Sequence, residues 1–253
     1  MTVLLFHGDS YLKEFQAAVT ELLDDGVVLD RTAFYIGGGG QPCDTGVLVH
    51  EGRDYRVTRV ARSARVSRSA GVSRSEEKIV HTVEGPASAV GALAAGQNVT
   101  GKIDWDRRRL LMRTHTALHI LCGVVWRDYG AKVTGGDMRP GEARMDFELE
   151  QMSARFAEEV EEKINAEVSA ARDVMTGNLT REEAGKTPDL IRTKINLLPP
   201  NIREVRTIHI QGLDLQADGG THVSNTREVG IIKVVGHESK GRINKRLRIG
   251  LVD

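Results

Sequence analysis

An α+β fold is predicted by three features of the sequence. These are a strand-rich stretch between Val27 and Lys102, a long apolar helix from Asp106, and an amphipathic helix followed by mixed segments. In the first stretch, "GVVLDRTAFY", "TGVLVHEGRDYRVTRVA" and "EKIVHTV" are short and rich in β-branched residues, with Gly-containing turns between them, as in a small sheet or barrel. The upstream "SYLKEFQAAVTELL" is compatible with either helix or strand. Around "PASAVGALAAGQNVTGKIDW" the residues become small and Gly-rich before acids precede a helical run. We therefore place the domain boundary near Ile103 to Trp105, giving domains 1–104 and 105–253.

From Asp106, "DRRRLLMRTHTALHILCGVVWRDYG" combines an acidic cap and strong helix formers with the terminating Gly130. Its apolar residues occupy nearly every face, which predicts burial. A second helix is predicted from Ser153 to Arg172, where Phe156, Val160, Ile164 and Val168 recur at four-residue steps and charged residues fill the outer face.

The 253-residue chain is 40% hydrophobic, enough for one large domain or two small ones. Cys43 and Cys122 are its cysteines, no apolar run reaches membrane-spanning length, and the N-terminus lacks a signal-peptide pattern. A cytoplasmic location is therefore expected, with no membrane partner. Lys and Arg together number 35, as do Asp and Glu, which argues against a polybasic binder but leaves room for a local basic surface.

Three stretches carry candidate chemistry. "HTALH" puts His115 and His119 at i and i+4, with Cβ atoms about 5–6 Å apart on one helix face, close enough for both imidazoles to share an ion. "QADGGTHVSNT" puts Asp218 and His222 at the same spacing across a glycine turn. Together they form a candidate His, His, carboxylate, His shell for zinc or another divalent first-row ion. A histidine pair on a helix can equally be two satisfied core groups, and the spacing by itself leaves both readings open. Thr116 stands where a zincin protease needs Glu, which argues against that class. The third stretch, "TAFYIGGGGQPCDTG", lacks the ending of a Walker loop and the spacing of a dinucleotide fingerprint. Its four glycines fit a flexible linker by composition. Their position between strand-like segments fits a turn that brings backbone close to a ligand.

"FYIGGGGQPCDTG", "RTHTALHIL", "ARMDF" and "DGGTHVSNT" resemble, in order and approximate separation, the editing portion of alanyl-tRNA synthetase. The chain is most similar to the free-standing AlaX-type alanyl-tRNA editing proteins of the medium-sized class, over nearly its whole length. The resemblance implies a small N-terminal β-barrel followed by an α+β editing domain of the threonyl/alanyl-tRNA synthetase type. It implies a metal-dependent deacylase acting in trans on tRNA for alanine that carries serine, secondarily glycine, with no obligate protein partner. The family's metal ligands match His115, His119 and His222, and its usual fourth ligand, a cysteine, is here Asp218. A carboxylate keeps the thiolate's charge but is harder, so zinc remains the expected cofactor with weaker selectivity over other divalent ions. Four protein ligands leave no vacant position for a water. The ion's role is thus open between structure, substrate orientation and expanded coordination. Gln41 matches a glutamine lining the family's editing pocket; it is the expected catalytic residue and, with Gly38, Gly39, Gly40 and Thr45, the expected substrate-binding set.

For tRNA contacts, arginines at 53, 56, 59, 62, 65 and 68 recur every three residues, a period that a strand sends to alternating faces. They read equally as solvated surface charge. The expected contacts are Lys240, Arg242 and Arg246 of the basic C-terminal "SKGRINKRLRIG", with Arg108, at the start of the ligand-bearing helix, as a further candidate.

Overall fold

The computed structural model describes residues 2–24, 26–69, 72–84, 93–193 and 202–252, with side chains except those of 64–69 and 72–76. The Gly-rich part of the boundary stretch at 86–92 and the side chains of Arg65 and Arg68 lie outside the described residues. The chain divides into two compact units, residues 1–38 with 42–108 and residues 39–41 with 109–253. The division falls at Arg108, inside the long helix, not at Asp104, and the loop residues Gly39–Gln41 join the second unit.

The first unit is a closed antiparallel barrel of six strands. These are β2 (Glu14–Leu23), β3 (Gly26–Leu29), β5 (Gly46–His50), β6 (Arg53–Ser69), β7 (Val72–Val83) and β8 (Asn98–Ile103), in the order β2-β3-β7-β6-β5-β8. A separate two-residue pairing joins β1 (Val3–Leu4) to β4 (Arg31–Thr32). The segment compatible with helix or strand is a strand. Phe15, Ala17 and Val19 alternate inward with period two, and a register shift after Val19 turns Leu23 to a separate buried cluster with Val28 and Val80. The barrel core joins Phe15, Ala17 and Val19 to Val27, Leu48, Val57, Val60, Ile79 and Val99.

Two buried polar clusters of this unit centre on Arg108 with Asp44 and on His81 with Thr32. Arg108 is fully buried; its Nε donates to Asp44 Oδ2 at 2.9 Å, its Nη2 to the same oxygen and to the Ala33 carbonyl at 2.5 Å, and its Nη1 to the Ser10 carbonyl at 2.9 Å. Asp44 also accepts from the Tyr35 amide at 2.6 Å. His81 bonds through both ring nitrogens, Nε2 to Thr32 Oγ1 at 2.8 Å and Nδ1 to the Val27 carbonyl at 3.3 Å. Burial pushes its pKa down to about 4 against a weaker pull upward from that carbonyl.

The long helix, α1 (Trp105–Tyr129), is buried at every residue from Thr114 to Val125, as its apolar composition predicts. It ends where Gly130 takes a φ of +63° and donates its N–H to the Trp126 carbonyl. In the second unit β9 (Val133–Arg139), β10 (Glu142–Glu148), β14 (Ile231–Gly241) and β15 (Asn244–Val252) form a four-stranded antiparallel sheet in the order β14-β15-β10-β9. The second helix, α2, runs from Ala154 to Ser169 with Ser153 as its N-cap. It stops short of the expected Arg172 because the Thr226 hydroxyl donates to the Glu167 carbonyl at 2.9 Å and Ala171 turns to a φ of +50°. Its Asn165 and Glu161 bond the backbone of the edge strand β14 at Ile232 and Val234.

A separate three-stranded sheet contains β11 (Val174–Thr180), β12 (Glu204–Ile210) and β13 (Asp214–Ala217), with a short helix, α3 (Arg181–Lys186), after β11. This sheet ends directly before Asp218, so its last strand aims the "DGGTH" loop. The fold class is α+β, as expected, and the barrel implied by the resemblance is present.

Candidate metal centre

Helix α1 and the loop after β13 bring His115, His119, Asp218 and His222 together, with one donor atom from each lying within 4.8 Å of all the others. The Asp218 carboxylate stands among the three imidazoles. Its Oδ1 is 3.0 Å from His222 Nε2, and its Oδ2 is 3.5 Å from His115 Nε2 and 4.0 Å from His119 Nε2. Ligands about 2.0–2.1 Å from a tetrahedral ion lie roughly 3.4 Å apart; the carboxylate–imidazole distances bracket that value, and the widest donor pair, within 4.8 Å, would have to draw together around an ion. The three histidines are 4%, 7% and 4% exposed, which excludes bulk water as an alternative partner for most of each ring.

The other ring nitrogen of each histidine is occupied by a different group. His115 Nδ1 donates to Gln41 Oε1 at 2.9 Å, His119 Nδ1 donates to Asp214 Oδ2 at 2.9 Å, and His222 Nδ1 lies 3.2 Å from the Thr116 hydroxyl. An amide oxygen and a carboxylate can only accept, so they place the proton on Nδ1 and leave the Nε2 lone pairs of His115 and His119 directed inward. This is the arrangement by which ligating histidines are oriented in metal sites.

The electrostatics agree with a donor set. Burial pushes His115 down to about 4, against an upward pull from the Asp218 charge. Burial, together with the neighbouring His115, holds His222 well below the ordinary histidine range. Burial would raise Asp218, but the charges of His115, His222 and His119 and the hydrogen bond from His222 outweigh it and hold the carboxyl well below its usual range. His119 is the exception: burial lowers it, yet the hydrogen bond and charge of Asp214 raise it overall. Two neutral imidazoles beside a carboxylate are in the protonation state that a divalent ion requires.

The loop that carries Asp218 is itself held. Gly220 donates its N–H to Asp218 Oδ1 at 2.6 Å, and Arg206 on β12 donates to the carbonyls of Asp218 at 3.1 Å and Gly220 at 2.9 Å. A Cβ on Gly220 would stand 2.4 Å from His115 Cε1 and 2.7 Å from Gln41 Oε1. The glycine is thus required for the histidine to approach the loop.

Of the residues expected from sequence, Gln41 is buried against this cluster. Its Oε1 accepts from His115 and from the Thr221 amide at 3.1 Å, and its Nε2 donates to the Thr221 hydroxyl at 2.8 Å. Gly38, Gly39 and Gly40 all have positive φ, and a Cβ on Gly39 would lie 3.8 Å from Asp218 Oδ2. Gly38 belongs to the barrel unit, where its carbonyl accepts from the Tyr35 hydroxyl at 3.0 Å. Thr45 also belongs to that unit, and its hydroxyl donates to Asp104 at 3.3 Å.

The expected RNA contacts divide. Arg108 is corrected: with no exposed surface and its donors spent on Asp44, Ala33 and Ser10, it is a structural ion pair, not a phosphate ligand. Arg246 makes two bonds to Asp146, at 2.7 and 2.8 Å, and its side chain is only 14% exposed. Lys240 and Arg242 are exposed at the β14–β15 turn.

Sequence reading missed Asp214, Thr116, Thr221 and Arg206. The two threonines lie inside the recognised "HTALH" and "DGGTH" motifs, which was an available signal. Asp214 and Arg206 sit on strands whose pairing brings them to the site, and nothing in their local sequence marks them.

Residues 6–107 match the model of the class II (A) tRNA synthetases, and residues 205–248 match the threonyl and alanyl tRNA synthetase second additional domain. The chain is 37% identical to the alanyl-tRNA editing protein AlaX-M of Methanosarcina barkeri across the full length of both. It is 38% identical to the AlaX-M of Saccharolobus solfataricus over 98% of each chain. The alanine–tRNA ligase of Pyrococcus abyssi is 37% identical over 94% of this chain but only 24% of the ligase, so the likeness is to one part of that larger protein. With relatives of this identity matched from end to end, and with a histidine-rich centre assembled from the motifs that carried the resemblance, the chain belongs to the AlaX-M family of alanyl-tRNA editing proteins.

Proposed function

We propose that the protein edits alanyl-tRNA in trans, hydrolysing the ester that joins serine, and secondarily glycine, to tRNA for alanine. The observation that supports this most directly is the convergence of His115, His119, Asp218 and His222 beside the buried Gln41, in a chain of this family. A zinc ion held by those four residues would supply a Lewis acid at the site. An aminoacyl ester is already activated, so the protein groups have chiefly to orient the substrate, place a water and spare the correct amino acid.

Gln41 acts first as an organiser in this reading. Both acceptor positions of its Oε1 are taken by His115 and Thr221, and one amide hydrogen is donated to Thr221. Its second amide hydrogen is the group we assign to the serine hydroxyl or the attacking water. Serine exceeds alanine by that hydroxyl, and a site built to bond it disfavours alanine, which would leave a buried donor unpaired. The Gly39 backbone borders the cluster at Asp218, and Gly40 faces the backbone of Gly136 and Asp137. Exposed Lys240 and Arg242 are assigned to tRNA phosphates.

The test is deacylation of Ser-, Gly- and Ala-tRNA for alanine, with metal content measured on the same sample. We expect Ser-tRNA to be hydrolysed fastest and Ala-tRNA to be spared. Intact Ser-tRNA after incubation with metal-loaded protein would overturn the enzyme reading in favour of a tRNA-binding relative that has lost hydrolysis.

A further inference from the structure

Among the three groups that bond the histidine Nδ1 atoms, Asp214 differs from the others in carrying a formal charge and in facing a buried guanidinium. It is 3% exposed on β13, opposite Ile210 of β12. Its Oδ2 accepts from His119 at 2.9 Å and from Gln216 Nε2 at 2.7 Å, and its Oδ1 lies 2.6 Å from Arg192 Nη1. Arg192 is in turn 8% exposed, and its guanidinium stacks over the Trp126 ring of α1 at 5.6 Å. A buried carboxylate and guanidinium are costly to desolvate, and a fully apolar pair of similar volume is often as stable or more so. Their presence here, in line with one ligand and no other, calls for a role that apolar residues would not fill.

We propose that Asp214, clamped by Arg192 and Gln216, is a positioning residue that locks His119 as the Nδ1–H tautomer with its Nε2 facing Asp218, and so sets the affinity of the centre for its ion. This rests on the reading of the cluster as a metal centre. The carboxylate does three things that the amide and hydroxyl partners of the other histidines do not do together. It can only accept, so the proton cannot be misplaced. Its negative charge makes the His119 ring a stronger donor. Its tether to Arg192, itself packed on Trp126, ties the ring's angle to the same helix that carries His119.

Asp214→Asn tests the assignment with little change in shape. The amide can present its NH2 to His119 and so permit the opposite tautomer. We expect zinc affinity, measured by competition with a chromophoric chelator, to fall about 10- to 100-fold. We also expect the imidazole nitrogen signals of the metal-free protein to show that His119 is Nδ1–H in the parent and has lost that preference in the variant. Asp214→Asn combined with Arg192→Gln removes the unpaired buried cation, so that a loss of affinity in this pair, with the apo protein folded by circular dichroism, is not attributable to misfolding. Unchanged zinc affinity in both variants, or an Nε2–H tautomer at His119 in the parent, would overturn the proposal. Failure of the parent to bind any divalent ion would overturn the metal reading as well, and the tautomer of the apo protein separates that failure from this one.

Discussion

Buried histidines occur in both units, and they are used differently. In the barrel, His81 has both ring nitrogens bonded to its own surroundings, Thr32 on one side and the Val27 carbonyl on the other. In the second unit, His115, His119 and His222 each have Nδ1 engaged outward and Nε2 converging on one carboxylate. All four rings are buried, so burial alone does not tell a structural histidine from a candidate ligand. The direction of the second nitrogen does. His81 spends both nitrogens on its own surroundings, whereas His115 and His119 keep Nε2 lone pairs aimed at the same carboxylate that His222 Nε2 meets, and a cation placed among them could be held by all four groups.

That contrast is open to direct attack, beginning with the ligands. Asp218→Ala and His222→Ala should each reduce bound metal and Ser-tRNA hydrolysis by on the order of 100-fold or more, measured by metal analysis and deacylation, since a removed ligand costs at least as much as a removed partner of one. Asp218→Cys should retain the ion and shift selectivity toward zinc, because the thiolate is softer. Metal retained in full by Asp218→Ala would remove this residue from the shell.

Next in size is the barrel's buried ion pair. Arg108→Ala strands Asp44 without its partner and should cost about 3–5 kcal/mol in urea unfolding. The salt dependence of tRNA binding by the folded fraction should not change. A reduced salt slope would restore Arg108 to the RNA surface.

The two kinds of histidine should also part in their response to acid. His81 is held near 4 in the folded state against an ordinary value of 6.5, so the unfolded chain binds its proton first. The stability this residue contributes is complete above pH 6.5 and is lost as pH falls toward 4, by about 3 kcal/mol over that window. The difference in unfolding free energy between the parent and His81→Gln, followed from pH 7 to pH 4, should therefore narrow in the variant's favour. A difference independent of pH would show that His81 is not buried neutral.

Gly220→Ala should lower metal affinity about tenfold and stability by about 1–3 kcal/mol, because its methyl group would overlap His115 and Gln41. The smallest effect is expected from Lys240→Ala with Arg242→Ala. Losing two phosphate contacts should weaken tRNA binding and lower its salt slope by about two, with metal content unchanged.

Much of this was legible in the amino-acid sequence. The period of Val160, Ile164 and Val168 identified a helix face, and the unbroken apolar character around "HTALH" identified a buried helix, because local periodicity reflects which side of an element meets the core. The i, i+4 spacings in "HTALH" and "DGGTH" were readable for the same reason: each pair sits within one short element whose geometry is local. The strand at Phe15 to Leu23 was ambiguous because a register shift interrupts its alternation after Val19. The burial of Arg108 was hidden because its partners Asp44, Ser10 and Ala33 are far away in the chain, and an arginine at a helix start reads as exposed until they are in place.

By itself, then, the sequence determined the strand-rich first region, the two longer helices, the ligand-bearing motifs and the family, all of which depend on residues close together or in a fixed order. Only the tertiary structure decided that the two histidine-bearing motifs meet, that Gln41 spends most of its amide on His115 and Thr221, and that Asp214 and Arg192 stand behind His119. Those relations are set by strand pairing and by helix burial across long stretches of chain. Hydrogen-bond direction, unlike periodicity, leaves no trace in the order of residues.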